Sequence, residues 1–373
     1  MISDLIRILV FLCDWRSLLR IITFKPRADI IFISNIRSSI DRKRITGIFN
    51  SAADHFGLVR IRLGNVLGQI RIINSTYEEI LSKDGFKKAK RQTLEVIKWG
   101  IKKGVRVVLF ASSTKRLFGS DGQELKEMFP DILFTIGDNG TAMILRDEIK
   151  SIFSKVGFNK YNCRVGILGA YGFIGEAMID FFKNSGYDIV GMGTSEVRLK
   201  RLGKKYNIQI NTSIKDMGKL DVVVACTHIN GSRLKADNID YIRKDNRKIL
   251  VFDMAQPPNL SEEEYKEVKD KVIRLDSADA YSKNLKYVLG YIGYHATGVP
   301  RRVTFGCFAE GIVLASLLKA GLEEKKIFSI DHFQINEDNI KIMRDLYDLS
   351  SAKFQHQQPR TYSKAVPSLN LDI

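Results

Sequence analysis

The sequence predicts the α/β class: an N-terminal α/β domain, a second α/β domain built around a glycine-rich turn, and a C-terminal helical section. Three observations predict this organisation. Apolar strand patterns alternate with helical patterns, a glycine-rich turn joins a buried strand to an apolar helix, and a long apolar stretch follows residue 302. With 373 residues the chain is long enough for two or three domains, which we expect at residues 1–155, 156–301 and 302–373.

The composition restricts the partners and the compartment. The 59 lysines and arginines exceed the 42 acidic residues and give a net charge of +17, which favours acidic partners, an anionic membrane surface or a polyphosphate cofactor. There is no RNA-binding signature, zinc finger or aromatic-basic interleaving, so no nucleic-acid partner is expected. The four cysteines lie far apart, which suggests neither a zinc site nor a disulfide framework and fits the cytoplasm.

Residues 1–24 have apolar positions at helical spacing and predict an amphipathic helix. Charged residues interrupt it too often for a membrane span, and an early Asp4 argues against a signal peptide. The helix either packs on its own domain or lies in a membrane interface. A dense basic group at residues 83–103 is explained as well by a solvated helix face as by an acidic partner.

The first domain is predicted from alternating patterns and breakers. Residues 57–73 indicate two strands joined by a turn, and a helix follows and ends near Gly104. Residues 105–110 and 132–136 are short apolar strands, with a helix at 121–128 between them. Gly137-Asp138-Asn139-Gly140-Thr141 predicts a tight turn, after which a helix runs over residues 142–155.

The second domain begins with a buried strand at residues 163–168, which runs directly into a glycine-rich turn and then an apolar helix. Strand, turn and helix in this order indicate a Rossmann-like dinucleotide-binding unit. Its first glycine allows the tight turn, the second lets the backbone approach a pyrophosphate, and the third lets helix and strand pack closely. The candidate phosphate-binding residues are Gly169, Ala170, Tyr171, Gly172, Phe173, Ile174 and Gly175.

The end of the second strand, at residues 188–193, indicates the type of dinucleotide. A free ribose 2′-hydroxyl would favour Asp or Glu there, but Thr194 and Ser195 follow, with Arg198 nearby. Hydroxyls and cations suit a 2′-phosphate, so NADP is predicted over NAD. The same cations could instead decorate the exposed start of the next helix.

Two further strands, at residues 221–226 and 248–253, end in polar residues at the edge where a ligand of a parallel sheet lies. Thr227 and Asp253 are therefore candidate cofactor-lining residues. His228 is either a catalytic residue or an ordinary loop histidine. In the C-terminal section a helix is predicted over residues 336–355.

Cys307 lies near the start of the apolar stretch. Unpaired N–H groups and the dipole at a helix N-terminus would favour its thiolate, whereas a lone cysteine beside phenylalanines is often only packed. Glu310 would share a helix face with Cys307. It could supply a proton, or it could simply be stabilised by the helix dipole.

These residues resemble a known family. Residues 305–317 resemble the cysteine-bearing helix of the cyanobacterial long-chain acyl-(acyl-carrier-protein) reductases, and residues 137–142, 169–175, 253–259 and 336–354 are similar to that family's other landmarks, in the same order. The resemblance covers most of the chain from about residue 55. Tyr171, Phe173 and Thr194 depart from the family pattern, so the chain is a divergent relative.

The resemblance implies NADPH-dependent reduction of a long-chain fatty acyl thioester to an aldehyde through an acyl-enzyme on Cys307. The expected partner is an acyl thioester carried by acyl carrier protein or coenzyme A, and peripheral membrane contact remains open. Two alternatives stay open as well. One is a non-covalent NADP-dependent small-molecule oxidoreductase, similar to shikimate dehydrogenase, and the other is a non-catalytic protein on a Rossmann scaffold.

Overall fold

A computed structural model describes residues 28–39, 41–42, 53–227, 231–244, 247–288 and 298–366, together with Leu5, Leu9, Leu12, Leu19, Ile22, Thr23 and Leu369. Most of the predicted N-terminal amphipathic helix lies outside the described residues, and so does His228. Among the described helices, none is both long and apolar enough to cross a membrane.

The chain is mixed α/β, as predicted. In chain order its strands are β1 (Ile30–Ile36), β2 (His55–Leu63), β3 (Val66–Thr76), β4 (Val107–Phe110), β5 (Leu133–Thr135), β6 (Arg164–Leu168), β7 (Asp188–Met192), β8 (Gln209–Asn211), β9 (Val222–Ala225), β10 (Ile249–Asp253), β11 (Val272–Asp276), β12 (Asp279–Tyr281), β13 (Leu285–Tyr287), β14 (Val303–Phe305), β15 (Gln355–His356), β16 (Arg360–Thr361) and β17 (Lys364–Ala365).

The described helices are α1 (Tyr77–Ile80), α2 (Lys83–Ile101), α3 (Gln123–Met128), α4 (Asp138–Val156), α5 (Phe173–Asn184), α6 (Glu196–Tyr206), α7 (Ile239–Ile242), α8 (Glu262–Val268), α9 (Gly306–Lys319), α10 (Glu324–Ser329) and α11 (Glu337–Leu349). Their ends follow ordinary capping chemistry. Ser82 accepts a hydrogen bond from the Gly85 N–H at the start of α2, and Ser261 and Glu264 form a capping box at α8.

The chain divides into two compact units. Unit 1 comprises residues 1–140 and 280–355, and unit 2 comprises residues 141–279 and 356–373. The predicted sections divide the chain differently, because residues 302–355 belong to unit 1 instead of forming a section of their own. The reason is packing: the apolar helix α9 contacts β1, β3 and β4 of unit 1.

Unit 1 contains a six-stranded sheet within the described residues, in the order β13-β2-β3-β1-β4-β5. β1 pairs in parallel with β3 and β4, and β4 pairs in parallel with β5, so these strands end at the same edge of the sheet. β1 is almost continuously apolar and buried, as expected for a central strand covered on both faces. The predicted strand pair at residues 57–73 is confirmed as the β2–β3 hairpin.

One local prediction in unit 1 is wrong. The segment 137–141 is a turn only at Gly137, which has φ +71°, and α4 begins already at Asp138. The first turn of α4 is stabilised by contacts that the sequence does not reveal. The Asn139 side chain donates to the Gln334 carbonyl, and the Gly140 N–H donates to the Glu310 carboxylate.

Unit 2 contains a parallel sheet in the order β11-β10-β9-β6-β7-β8 within the described residues. Numbered along the chain, these strands have the order 3-2-1-4-5-6 read from β8, which is the order of the Rossmann fold. The order reverses between β6 and β9, so a crevice ligand is expected at the carboxyl ends of these two strands. The Rossmann-like prediction is confirmed.

Candidate functional site

The glycine turn after β6 has the geometry that a dinucleotide requires. Gly169 has φ +78°, and its N–H donates to the Met192 carbonyl of the neighbouring strand at 2.9 Å. A Cβ on Gly175 would lie 2.2 Å from the Gly169 oxygen, so only glycine allows α5 to start this close to the turn. The N-cap of α5 is Gly172, which has no side chain to occupy the first N–H groups of the helix. These groups suit a pyrophosphate.

The remaining apolar residues of the turn have different roles. Ala170 is fully buried against β7, since a Cβ on Gly191 would lie 3.1 Å from the Ala170 Cβ. Ile174 is buried as well, whereas Phe173 is 41% exposed at the first position of α5. Ala170 and Ile174 therefore support the turn by packing, and Phe173 is the apolar side chain of the turn that a ligand could contact.

Tyr171 lies across the end of β7. Its hydroxyl accepts hydrogen bonds from the N–H groups of Thr194 and Ser195, both at 3.2 Å, and shares a third with the Thr194 hydroxyl at 2.9 Å. The sequence pattern assigns Thr194 and Ser195 to the 2′-phosphate of NADP. The structure shows that their donors converge on one oxygen acceptor, which is the phenol of Tyr171.

Two further residues define this corner of unit 2. The Arg198 guanidinium lies 5.6 Å from the centre of the Tyr171 ring, and a Cβ on Gly193 would lie 2.4 Å from a ring carbon. Gly193 therefore makes room for the ring. Burial alone would raise the pKa of Tyr171, but the hydrogen bonds from Thr194 and Ser195, helped by Arg198, lower it.

Thr227 and Asp253, which the sequence predicts to line the crevice, lie in different surroundings. Thr227 lies against the glycine turn, because a Cβ on Gly169 would come within 2.8 Å of its side chain. Asp253 is buried and contacts its own loop. Its buried carboxylate accepts hydrogen bonds from the Asn259 N–H at 2.8 Å and from the Arg274 guanidinium at 2.9 Å. Asp253 holds the loop after β10 through these contacts, and its assignment to the cofactor stays a prediction.

Unit 1 contains a second cluster of functional groups, around Cys307. Cys307 lies in the first turn of α9, as predicted, and the backbone of Gly137 packs directly against it. The expected low thiol pKa is wrong. Burial raises the pKa of Cys307 to about 11, and the nearby Lys115 offsets this only in part, while Asp138 and Glu310 add to it. The resting group at neutral pH is the thiol.

Lys115 and Asp138 form an ion pair beside Cys307. Lys115 belongs to a 3₁₀ turn just after β4, and Asp138 opens α4 just after β5, so the neighbouring parallel strands bring the two together. Burial alone would lower the pKa of Lys115, but Asp138, with Cys307 and Glu310, raises it. Burial raises the pKa of Asp138, and Lys115 opposes this. Lys115 therefore remains an ammonium.

Glu310 holds the site together through hydrogen bonds to two neighbouring segments. It is fully buried, and its carboxylate accepts hydrogen bonds from the Thr135 hydroxyl at 2.5 Å and from the Gly140 N–H at 2.6 Å. These contacts give Glu310 a structural role, and proton supply by Glu310 stays a prediction. Tyr347 packs above the same turn, and burial next to Glu310 and Cys307 raises its pKa well above the ordinary value.

Lys115 and the role of Asp138 are not predicted from the sequence. The sequence position of each residue could nevertheless have identified it. Lys115 follows directly after the buried strand β4, in the polar run Ser112–Arg116, and Asp138 belongs to the segment 137–141, whose pattern predicts only a turn. Both residues lie where parallel strands end, which is the edge at which ligands bind in open α/β sheets.

Comparison with known proteins relates unit 2 to a dehydrogenase family. Residues 149–279 match the family model described as "Shikimate / quinate 5-dehydrogenase", and the predicted NADP cofactor fits this match. No curated protein matches the chain. The fold and the glycine turn thus define a Rossmann-type dehydrogenase domain, which in this chain resembles that of the shikimate and quinate dehydrogenases. The more specific resemblance to acyl-(acyl-carrier-protein) reductases receives no support from these comparisons.

Solved structures give distant similarities. L-tryptophan dehydrogenase from Nostoc punctiforme is 10% identical with a TM-score of 0.39, over 86% of this chain and 87% of that one. Dipicolinate synthase from Bacillus halodurans is 11% identical with a TM-score of 0.31, and the match covers 45% of this chain but only 57% of that protein. The glutamyl-tRNA reductase nucleotide-binding domain from Thermoplasma volcanium is 17% identical with a TM-score of 0.27, over 37% and 87%. At these values none of them defines the activity of this chain.

Proposed function

We propose that the protein is an NADP-dependent oxidoreductase that interconverts a small hydroxyl compound and its carbonyl form without a covalent intermediate. The chain's residues fit the cofactor. The turn from Gly169 to Gly175 leaves the N–H groups of α5 open to a pyrophosphate. The N–H donors of Thr194 and Ser195 contact the Tyr171 hydroxyl, which a 2′-phosphate would have to displace. The family match of residues 149–279 supports the same class of enzyme.

The observation that carries the proposal is the ion pair between Lys115 and Asp138. The Asp138 side chain is 5% exposed, whereas that of Lys115 is 20% exposed. A carboxylate sealed behind a partly accessible ammonium is suited to hold a cation in one position toward a substrate. The neutral Cys307 thiol next to this pair is suited to contact the substrate without reacting with it.

The chemistry follows from these charges. When bound, NADPH supplies a hydride to the carbonyl carbon of the substrate. In unit 1 the Lys115 ammonium would stabilise negative charge on a substrate carbonyl oxygen and donate the proton that completes a hydroxyl group. Asp138 keeps Lys115 protonated and in place. In the reverse direction Lys115 can accept the hydroxyl proton only at a pH high enough to deprotonate it, because Asp138 raises its pKa.

A second candidate is the reduction of a fatty acyl thioester through Cys307. The specific observation in its favour is the place of Cys307 in the first turn of α9, close enough to Lys115 for the ammonium to lower the thiol pKa. In this reaction the Cys307 sulfur would take the acyl group while the thiol of acyl carrier protein or coenzyme A leaves. The pKa of about 11 disfavours it at neutral pH, so we rank it second.

Enzyme assays with matched variants separate the two candidates. Wild-type protein is assayed for NADP⁺ reduction with a panel of small hydroxy acids, polyols and alcohols, and for NADPH oxidation with acyl-coenzyme A and acyl-carrier-protein thioesters. We expect turnover of a hydroxyl substrate that Lys115→Met and Asp138→Asn reduce by at least about 100-fold. Cys307→Ser should retain the turnover of the hydroxyl substrate. Lys126→Met, which removes the exposed ammonium paired with Asp331, is the control.

Three results would change this conclusion. Aldehyde formation that Cys307→Ser abolishes, with an acyl mass on the Cys307 peptide in the absence of NADPH, would establish the second candidate. Equal activity of Lys115→Met and Lys126→Met would remove the proton-transfer role of the ion pair. Absence of NADPH binding would leave a non-catalytic protein on a Rossmann scaffold.

A further inference from the structure

We propose that unit 1 contains a second ligand site, which binds a small molecule through phosphate groups. A cavity of about 500 Å³ lies between the β2–β3 turn, the β12–β13 turn and the start of β14. Its size is that of an ordinary small-molecule site. The cavity is lined by Arg62, Leu63, Gly64, Lys283, Asn284, Lys286, Arg302 and Ser351. Neither proposed function uses any of these residues.

The lining has one sign of charge. Four of its eight residues are lysine or arginine, and the eight include neither Asp nor Glu. The basic residues come from three separate segments of the chain, so they are not the exposed face of one helix. Cations that converge on one concave surface raise the local positive potential and attract an anion.

The sheet brings two of these charges directly together. β13 pairs with β2 in antiparallel register, and this register places Lys286 opposite Arg62. Like charges directly opposite each other destabilise a strand pair. An anion bound beside Lys286 and Arg62 would reduce the repulsion between them.

The side chains of Lys283, Lys286 and Arg302 are available to a ligand. Within the described part of the chain none of the three forms an ion pair or a side-chain hydrogen bond. The backbone at Arg302 is nevertheless held in one conformation. Arg302 has φ +66°, a left-handed conformation that is costly for a non-glycine residue, and its carbonyl accepts the Ser282 N–H at 3.0 Å. This strained backbone holds Arg302 at the edge of the cavity.

The surrounding contacts make the cavity rigid before any ligand binds. The Ser282 hydroxyl donates to the Ala352 carbonyl at 2.6 Å, and the Tyr287 hydroxyl donates to the Val303 carbonyl at 2.8 Å. These bonds tie together segments that carry the cations. The backbone around the cavity is therefore ordered before a ligand binds, although the exposed lysine and arginine side chains still lose rotamer freedom on binding.

The ligand class follows from charge and shape. Arginine binds phosphate oxygens through its planar fork, and lysine contributes point charges. Four cations around about 500 Å³ match a phosphomonoester or diphosphate group attached to a small organic portion. The organic portion belongs either to a free metabolite or to a lipid headgroup, and both offer the same phosphate chemistry.

Calorimetric titration of the full chain with inorganic pyrophosphate tests the site. We expect saturable binding that Lys286→Gln and Arg302→Gln each weaken by at least about tenfold. Lys325→Gln, which removes an exposed charge of unit 1 outside the cavity, should leave the affinity unchanged. Co-sedimentation with phosphatidic acid vesicles, against phosphatidylcholine vesicles, then separates the sources. Binding to both pyrophosphate and vesicles, lost in the same two variants, indicates a headgroup, and binding to pyrophosphate alone indicates a free phosphate compound.

Stability measurements keep the test independent of binding affinity. Without ligand, Lys286→Gln should unfold at a slightly higher temperature than wild type because it relieves the repulsion from Arg62, and pyrophosphate should stabilise wild type more than the variant. No pyrophosphate binding, or equal weakening by Lys325→Gln, would overturn the proposal. The N-terminus of α5 in unit 2 also suits a pyrophosphate, so NADPH binding is measured for the same variants. Pyrophosphate affinity that Lys286→Gln and Arg302→Gln lower while NADPH affinity stays unchanged separates this site from the proposed function.

Discussion

The Cα of Gly137 lies directly against Cys307: a Cβ on Gly137 would be 2.4 Å from the Cys307 Cβ and 2.6 Å from its Cα. The turn after β5 and the first turn of α9 are therefore in contact through backbone. This contact keeps Asp138, the next residue, close to Cys307 and to Lys115. The active cluster proposed for unit 1 depends on the absence of a side chain at position 137.

Gly137→Ala should destabilise the protein by about 3–5 kcal/mol, because alanine is strained at φ +71° and its methyl group overlaps backbone that cannot move aside. Chemical denaturation measures the loss. Gly321→Ala is the matched control, since Gly321 has φ +69° and open space around its Cβ position. That variant should lose only about 1–2 kcal/mol. Equal losses in the two variants would show that Gly137 does not constrain Cys307.

The reactivity of Cys307 toward iodoacetamide should rise about tenfold per pH unit between pH 8 and pH 10, because a thiol whose pKa is about 11 is still mostly protonated there. Lys115→Met removes the charge that lowers this pKa, so it should slow the reaction throughout that range. Mass spectrometry of the Cys307 peptide gives the rate. A plateau near neutral pH would mean that the thiolate forms readily, and the covalent candidate would then rank first.

Tyr171→Phe should bind NADP about 3- to 10-fold more tightly than wild type, with a smaller change for NAD. The phenol oxygen occupies the N–H donors of Thr194 and Ser195, and the variant leaves them to a 2′-phosphate. Calorimetric titration with both nucleotides measures the effect. Tyr206→Phe, which removes a hydroxyl that contacts Glu176 in the same unit, serves as the control. Weaker NADP binding by Tyr171→Phe would show instead that the phenol contacts the cofactor.

Glu148 should make unit 2 less stable as the pH rises. Burial raises its pKa to about 8, although the Ala278 N–H and the Ser277 hydroxyl donate to it. The folded state then keeps a proton that the unfolded chain releases above about pH 4.5. The contribution of this group to stability is fully present below that pH and falls by at most about 1.4 kcal/mol per unit up to about pH 8.

Glu148→Gln cannot ionise and should lose this part of the pH dependence. The free energy of unfolding of the variant, relative to wild type, should therefore increase between about pH 4.5 and pH 8 and then stay constant. Urea titrations at several pH values measure the difference, with the exposed Glu267→Gln as control. A pH-independent difference would show that Glu148 ionises normally in the folded protein.

The second unit is predictable from sequence because its signals are local. The strand, the turn from Gly169 to Gly175 and the helix follow each other without interruption, and each glycine has one physical role. β1 is equally apolar, yet it is not predicted from the sequence. No glycine turn or helical pattern directly follows it, so its sequence alone does not identify it as a strand of an α/β unit. Its identity as a central strand depends on pairing with β3 and β4.

The chemistry of unit 1 depends on contacts between distant residues, which a single sequence does not reveal. Lys115 and Asp138 meet only because β4 and β5 are neighbours, and Glu310 is occupied by Thr135 and Gly140 across the fold. The low pKa expected for Cys307 is wrong for the same reason. The helix N-terminus is visible in the sequence, whereas the burial that outweighs it is not.

Binding of NADPH to the full chain, measured by calorimetry with wild type, Gly175→Ala and Gly157→Ala, tests the central claim most directly. A Cβ at Gly175 would lie 2.2 Å from the Gly169 oxygen, whereas at Gly157 it would meet open space. Alanine at Gly157 is strained at φ +73°, so this control lowers stability by about 1–2 kcal/mol without blocking the turn. We predict that wild type and Gly157→Ala bind one NADPH per chain and that Gly175→Ala loses most of the affinity. Failure of folded wild-type protein to bind NADPH would contradict the assignment as an NADP-dependent oxidoreductase.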